Sequence, residues 1–210
     1  MTQAIDNKRA EFWNAVTHGC AALLSVLALI ALTRKGLAQA STSAILAYTV
    51  YGASMIMLFT TSSLYHSFKH TAYRNILQKI DHSSIYLLIA GTYTPYLVVA
   101  VGGRLGYIFL ALVWLLASIG IYFELRYTNR FPRLSTFLYL GLGWISLFLI
   151  RPLFQTVDLA GILLLVAGGL TYSVGTVFYS QKHKPWMHVI WHVFVGLAAA
   201  FMFLSIYWYV

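Results

Sequence analysis

Apolar residues run along this chain in blocks too long for the interior of a soluble domain, and polar residues gather in the short stretches between them. A block of 18 or more such residues is long enough to cross the hydrocarbon core of a bilayer as a helix. On that criterion the pattern predicts seven membrane-spanning helices, roughly over 12–33, 43–65, 82–101, 104–123, 134–151, 157–180 and 187–209. Sharing 210 residues among seven spans leaves about 30 for each span with its connector, so the loops are short. The expected fold is an all-α integral membrane protein, a seven-transmembrane helix bundle forming one domain over residues 1–210. Proline placement agrees: Pro132, Pro152 and Pro185 fall in or beside connectors, and Pro95 alone sits within a span, where a kink is expected.

Composition sharpens this picture. The chain is 60% hydrophobic and only 9% charged, against about a quarter charged in soluble proteins. Disorder, nucleic-acid binding and secretion as a small folded domain are excluded. The net charge of +9 has a membrane explanation in its distribution. Lys8, Arg9, Lys69, Arg74, Lys79, Arg126, Arg130, Arg133, Lys182 and Lys184 fall on one side, and only Arg34, Lys35, Arg104 and Arg151 on the other. The richer side is cytoplasmic by the positive-inside rule, which puts the N-terminus in the cytoplasm and the C-terminus outside. Tyr207, Trp208 and Tyr209 then fit an outer aromatic belt, with Trp13 and Trp186 in the inner one. Ala38-Gln39-Ala40 resembles a signal-peptide cleavage site, but the run from Phe12 to Thr33 is too long for a signal core, so it reads as a retained first helix. The expected location is the bacterial cytoplasmic (inner) membrane, as a multi-pass protein.

Ionisable groups inside a bilayer are costly, so their positions carry the functional information. Glu11, Asn14, Thr17 and His18 lie on the first helix, Ser62 and His66 close the second, Asp81 opens the third, and His188 with His192 opens the seventh. All of them fall at the cytoplasmic ends of their helices. Counted from the nearest basic anchor, His66, His188, Ser62 and His192 lie roughly 4–12 Å inward, depths that overlap enough for one pocket. His188 and His192 are four residues apart, as are Ser62 and His66, so each pair shares a helical face. Three histidines from two helices suit one divalent ion and leave the fourth position of a tetrahedral zinc open for water. Asp81 could hydrogen-bond that water or orient a ligating ring. The competing reading is a set of histidines bonded to backbone and hydroxyls inside the bundle. His18 reads as structural rather than as a ligand, His70, His82 and His183 as solvated connector residues, and Cys20 as a buried packing cysteine.

Glu11-x-x-Asn14-x-x-Thr17-His18, Ser62-x-x-x-His66, Asp81 and His188-x-x-x-His192, in that order, resemble the motifs of the progestin and adipoQ receptor family. Short loops and a short N-terminus make the chain similar to the bacterial hemolysin III branch, which includes membrane-homeostasis regulators. The resemblance implies a seven-helix bundle holding zinc near the cytoplasmic face, with His66, His188 and His192 as ligands. It further implies that Asp81 and Ser62 act around the water at the zinc, and that Glu11, Asn14, Thr17 and His18 give structural support.

The reading that follows is a zinc-dependent hydrolase of lipid amide or ester bonds in the cytoplasmic leaflet, similar to ceramidase-like proteins. Asp81 would be the general base, Ser62 would help stabilise the oxyanion, and membrane lipids would supply the acyl-chain substrate or ligand. The alternative is a non-catalytic lipid sensor in which zinc staples the second and seventh helices. A transporter fits less well, because every ionisable group lies toward the end of a span. The metal could be another divalent ion that accepts three imidazoles. The oligomeric state is left open.

Overall fold

The computed structural model describes residues 2–128, 130–181 and 184–210. Among them the secondary structure is entirely helical, and seven helices are long and apolar enough to cross a membrane. The order is α1 (Thr2–Ala38), α2 (Thr42–Ser67), α3 (Arg74–Pro95), α4 (Gly103–Tyr127), α5 (Pro132–Gly143), α6 (Ile150–Thr156), α7 (Leu159–Tyr179) and α8 (Pro185–Tyr209). A 3₁₀ stretch, Trp144–Leu149, joins α5 to α6 in one span. Helix α1 packs along α2 and α8, α2 along α3, α3 along α4, and α7 along α8.

The expected number of spans is found, but two begin earlier than hydropathy predicts. Helix α1 starts at Thr2 and α3 at Arg74. In α3 the first two turns carry Gln78, Lys79, Asp81 and His82, so an average over apolar character misses them. Gln78 and Asp81 are nonetheless buried, because that polar face points into the bundle. Short connectors carry their own signals. Ser41 caps α2 by accepting from the Ala44 N–H at 3.2 Å, and Gly102 and Gly103 supply the positive φ angles, 58° and 56°, that turn the chain into α4. At Pro95 the irregularity is a π-helical stretch, Tyr96–Val101, in place of an abrupt break.

Large apolar side chains cover the outside of the bundle, among them Leu23, Leu27, Ile119, Phe148 and Leu163. This is the surface expected where lipid replaces water. The interior is rich in tyrosine instead, with Tyr48, Tyr51 and Tyr86 fully buried. Buried hydroxyls need partners in such a medium, and most have them. Tyr96 donates to Ser205 Oγ at 2.7 Å, and Ser205 in turn to the Gly161 carbonyl at 2.7 Å, joining the π-helical stretch, α8 and α7. Tyr93 donates to the Gly143 carbonyl at 2.6 Å and accepts from the Ser146 N–H at 2.7 Å, which serves the backbone where α5 lapses into 3₁₀ geometry. Lys35 reaches the carbonyls of Ile206 and Tyr207, at 2.9 and 2.7 Å, and so caps the last turn of α8.

His82 is not a solvated connector residue. It lies within α3, and its Nδ1 is 2.9 Å from Oε1 of Glu124 on α4. Glu124 is only 1% exposed, and its other oxygen accepts from Ser135 on α5 at 2.9 Å. Tyr139 closes the group by donating to the His82 carbonyl at 3.2 Å. His183 lies outside the described residues, and His70 is exposed in the connector after α2, as expected. Removing the shared carboxylate with Glu124→Ala leaves His82 and Ser135 without their partner. A loss of roughly 3 kcal/mol is expected, readable as a lowered melting temperature of the protein in detergent, and a melt equal to wild type would show that the pair contributes nothing.

Candidate metal centre and apolar cavity

Three helices meet at the end of the bundle that carries the N-terminus. Helix α2 brings His66 and α8 brings His188 and His192, one turn apart on a shared face. The centroids of the three rings lie 5.1, 4.8 and 4.7 Å apart for the pairs 66–188, 66–192 and 188–192. One ring nitrogen from each falls within 4.8 Å of the others. His66 and His192 are 3% and 2% exposed, and His188 is partly buried.

Helix α1 fixes how two of these rings face. Glu11 Oε2 is 2.7 Å from Nδ1 of His66, and Glu11 Oε1 accepts from Lys69 Nζ at 2.5 Å. His192 places Nδ1 3.2 Å from the carbonyl oxygen of Asn14. Each contact assigns the proton to Nδ1 and leaves Nε2 bare, as in metal-ligating histidines held by an outer carboxylate or carbonyl. Nε2 of His66 is accordingly buried without a hydrogen-bond partner. The donor set therefore fits a divalent ion. Ligands on a tetrahedral zinc stand about 3.3 Å apart, so the longest separation here needs to close by roughly 1.5 Å.

Beside the histidines opens an apolar cavity of about 180 Å³. Its polar end carries His18, Ser62, Asp81, His188 and His192, while Leu149, Ile162 and Met202 line it farther along. Asp81 and Ser62 are both buried, and their side chains interact. Asp81 is not part of the three-nitrogen cluster; it lines the cavity instead. His66 lines a separate recess with Lys8, Glu11, Phe12 and His70. The histidine cluster thus lies between an inner apolar cavity and an outer polar recess.

Ser62, Asp81, His188 and His192 line one cavity, and His66 joins the two histidines of α8 in the nitrogen cluster while lining the separate recess. Thr17 bonds back to the Trp13 carbonyl at 2.8 Å, within its own helix. Cys20 is exposed, a correction to the expected buried packing role. The residue that sequence reasoning undervalued is Glu11. Its place in the first motif pointed only to structural support, and nothing in the order of residues pairs it with a histidine 55 positions away.

A family model described as haemolysin-III related matches residues 7–203. The chain is 42% identical over 210 residues to hemolysin-3 of Bacillus cereus, covering 100% of this chain and 96% of that protein. It is 44% identical over 201 residues to a hemolysin-3 homolog of Bacillus subtilis (strain 168), covering 96% and 94%. The human monocyte to macrophage differentiation factor matches at 31% over 166 residues, 76% of this chain and 68% of that protein. With seven membrane-length helices, these relatives make the chain a multi-pass protein of the bacterial cytoplasmic membrane. It belongs to the haemolysin III-related family, in keeping with the progestin and adipoQ receptor motifs along its length.

Proposed function

We propose that the chain is a zinc-dependent hydrolase of lipid amide or ester bonds that contributes to membrane lipid homeostasis. The observation that carries this is the junction of a three-imidazole donor set, one nitrogen of it buried and unpartnered, with an apolar cavity that also holds a carboxyl and a hydroxyl. His66, His188 and His192 would hold the ion. Zinc there would supply the positive charge that polarises a carbonyl and makes water acidic enough to attack near neutral pH.

The remaining steps belong to the chain's own side chains. Asp81 takes a proton from the attacking water as its oxygen bonds to the carbonyl carbon, and returns that proton to the departing nitrogen or oxygen as the old bond breaks. Ser62, beside Asp81, orients the carboxylate and offers its hydroxyl to the oxygen where negative charge develops. The apolar wall from Ile85 to Met202 takes the acyl chain. The basic connectors favour placing this end of the bundle in the cytoplasmic leaflet.

A non-catalytic reading rests on a different observation. Because α1 holds rings from both α2 and α8, an ion at the cluster would lock three helices together, and lipid in the cavity could bias that packing.

Metal analysis comes first. About one zinc per chain is expected in protein purified without chelators, and almost none in a folded His188→Ala/His192→Ala variant; wild type with no stoichiometric metal ends both readings. Glu11→Ala should retain the fold and weaken metal affinity by roughly 10- to 100-fold, measured by chelator competition. Asp81→Asn separates the two readings: it should keep its zinc and lose lipid hydrolysis by roughly 100-fold or more. Unchanged turnover would remove Asp81 from the mechanism, and absence of turnover by metallated wild type across a broad lipid panel would favour the staple.

A further inference from the structure

Two cavity histidines lie outside the proposed centre: His82, whose ring is held by Glu124, and His18. His18 is 4% exposed, and neither of its ring nitrogens makes a hydrogen bond of good geometry, although the backbone of His192 lies near enough to interact with the ring. One turn earlier on α1, the side-chain oxygen of Asn14 is also buried and unpartnered. Unmet polar atoms are costly in a membrane interior, where no bulk water compensates. Of the two, His18 lines the cavity, and its place on that wall calls for a ligand that satisfies it.

Geometry excludes the metal ion as that ligand. The His18 ring lies on the His192 ring at 3.6 Å between centroids and 7° between planes. Ring lone pairs lie in the ring plane, so an ion about 2.1 Å from His192 sits roughly 3 Å or more outside the plane of His18. One ion cannot be shared by two rings stacked in this way. Phe59 also packs against His18, edge to face at 5.1 Å, and helps to hold the ring's orientation.

We infer that His18 is the specificity-determining contact for the polar group of the lipid in this cavity. The inference rests on the cavity being a lipid site, as proposed above. A neutral imidazole presents one donor and one acceptor. The group it suits therefore carries both in turn: a hydroxyl or a secondary amide, in preference to an ether or a simple ester. A buried site built to hydrogen-bond a hydroxyl discriminates against the analogue lacking it, because its own polar atoms are then left unpaired.

The test compares two probes that cannot be hydrolysed, 1-octadecanol and its methyl ether, by displacement of a fluorescent C18 lipid from zinc-loaded protein in nanodiscs. Wild type should prefer the alcohol by roughly tenfold. His18→Phe, which keeps a ring against His192, should bind both at the level of the ether, with full zinc and a melting temperature no lower than wild type. His18→Gln, which retains a donor and an acceptor, should recover part of the preference. Equal affinity of wild type for the two probes overturns the inference without any variant. So does a preference that survives in His18→Phe, or loss of zinc from that variant. Failure of wild type to bind either probe would instead overturn the lipid reading of the cavity, and this inference with it.

Discussion

Glu11 sits between Lys69 and His66 near the end of a membrane bundle, and the arrangement of the candidate centre depends on it. Within a bilayer a ring nitrogen left without a partner cannot turn to water, so whichever group claims Nδ1 of His66 also decides what Nε2 is free to do. Asn14 does the same for His192 through its backbone carbonyl. That carbonyl belongs to a helix and has a second lone pair to offer beyond its helical bond. One helix thus orients donors on two others. Helix α1 is in contact with both α2 and α8 along its length, so apolar packing sets the distance and the two polar contacts set the angle.

The cavity follows from a related constraint. Irregular backbone is tolerated at membrane depth where it is enclosed by protein or lines a cavity. Trp144, Ser146 and Leu149, from the 3₁₀ interruption of the fifth span, are cavity residues, and Tyr93 and Tyr96 face them from the third. Tyr93 serves backbone groups on both sides of the interruption. A regular fifth helix would offer those groups to its own turns and leave the Tyr93 hydroxyl without partners. The departure from helical geometry and the buried tyrosine therefore support one another, and the space between them is the apolar part of the cavity.

Much of this was legible in the sequence, for physical reasons that also mark its limit. Seven spans follow from hydropathy because lipid imposes the same requirement on every helix. That His66, His188 and His192 meet at one end of the bundle follows from their places near the ends of their helices, and the shared face of His188 and His192 from i, i+4 spacing. What hydropathy cannot see is a polar face turned inward, which is why α3 begins at Arg74 and why His82 belongs to the bundle. Partners across helices are equally invisible: Glu11 with His66, and Glu124 with His82, join positions 55 and 42 apart. The stacking of His18 on His192 depends on a helix crossing that periodicity does not specify.

The polar groups at the cavity's end bear on what the centre is for. Holding α2 to α8 needs three imidazoles and the groups that orient them, and all of those are supplied by His66, His188, His192, Glu11 and the Asn14 carbonyl. It does not need Asp81 and Ser62, both buried at the polar end of an apolar space, nor a buried imidazole on the same wall without a hydrogen bond of good geometry. Each of these costs folding free energy in a low-dielectric interior. A staple leaves that cost unexplained. A site that must accept a proton, steady a developing charge and hold a polar headgroup while the chain lies against leucine and methionine would have a use for all three, which is the ground for proposing hydrolysis ahead of a metal staple.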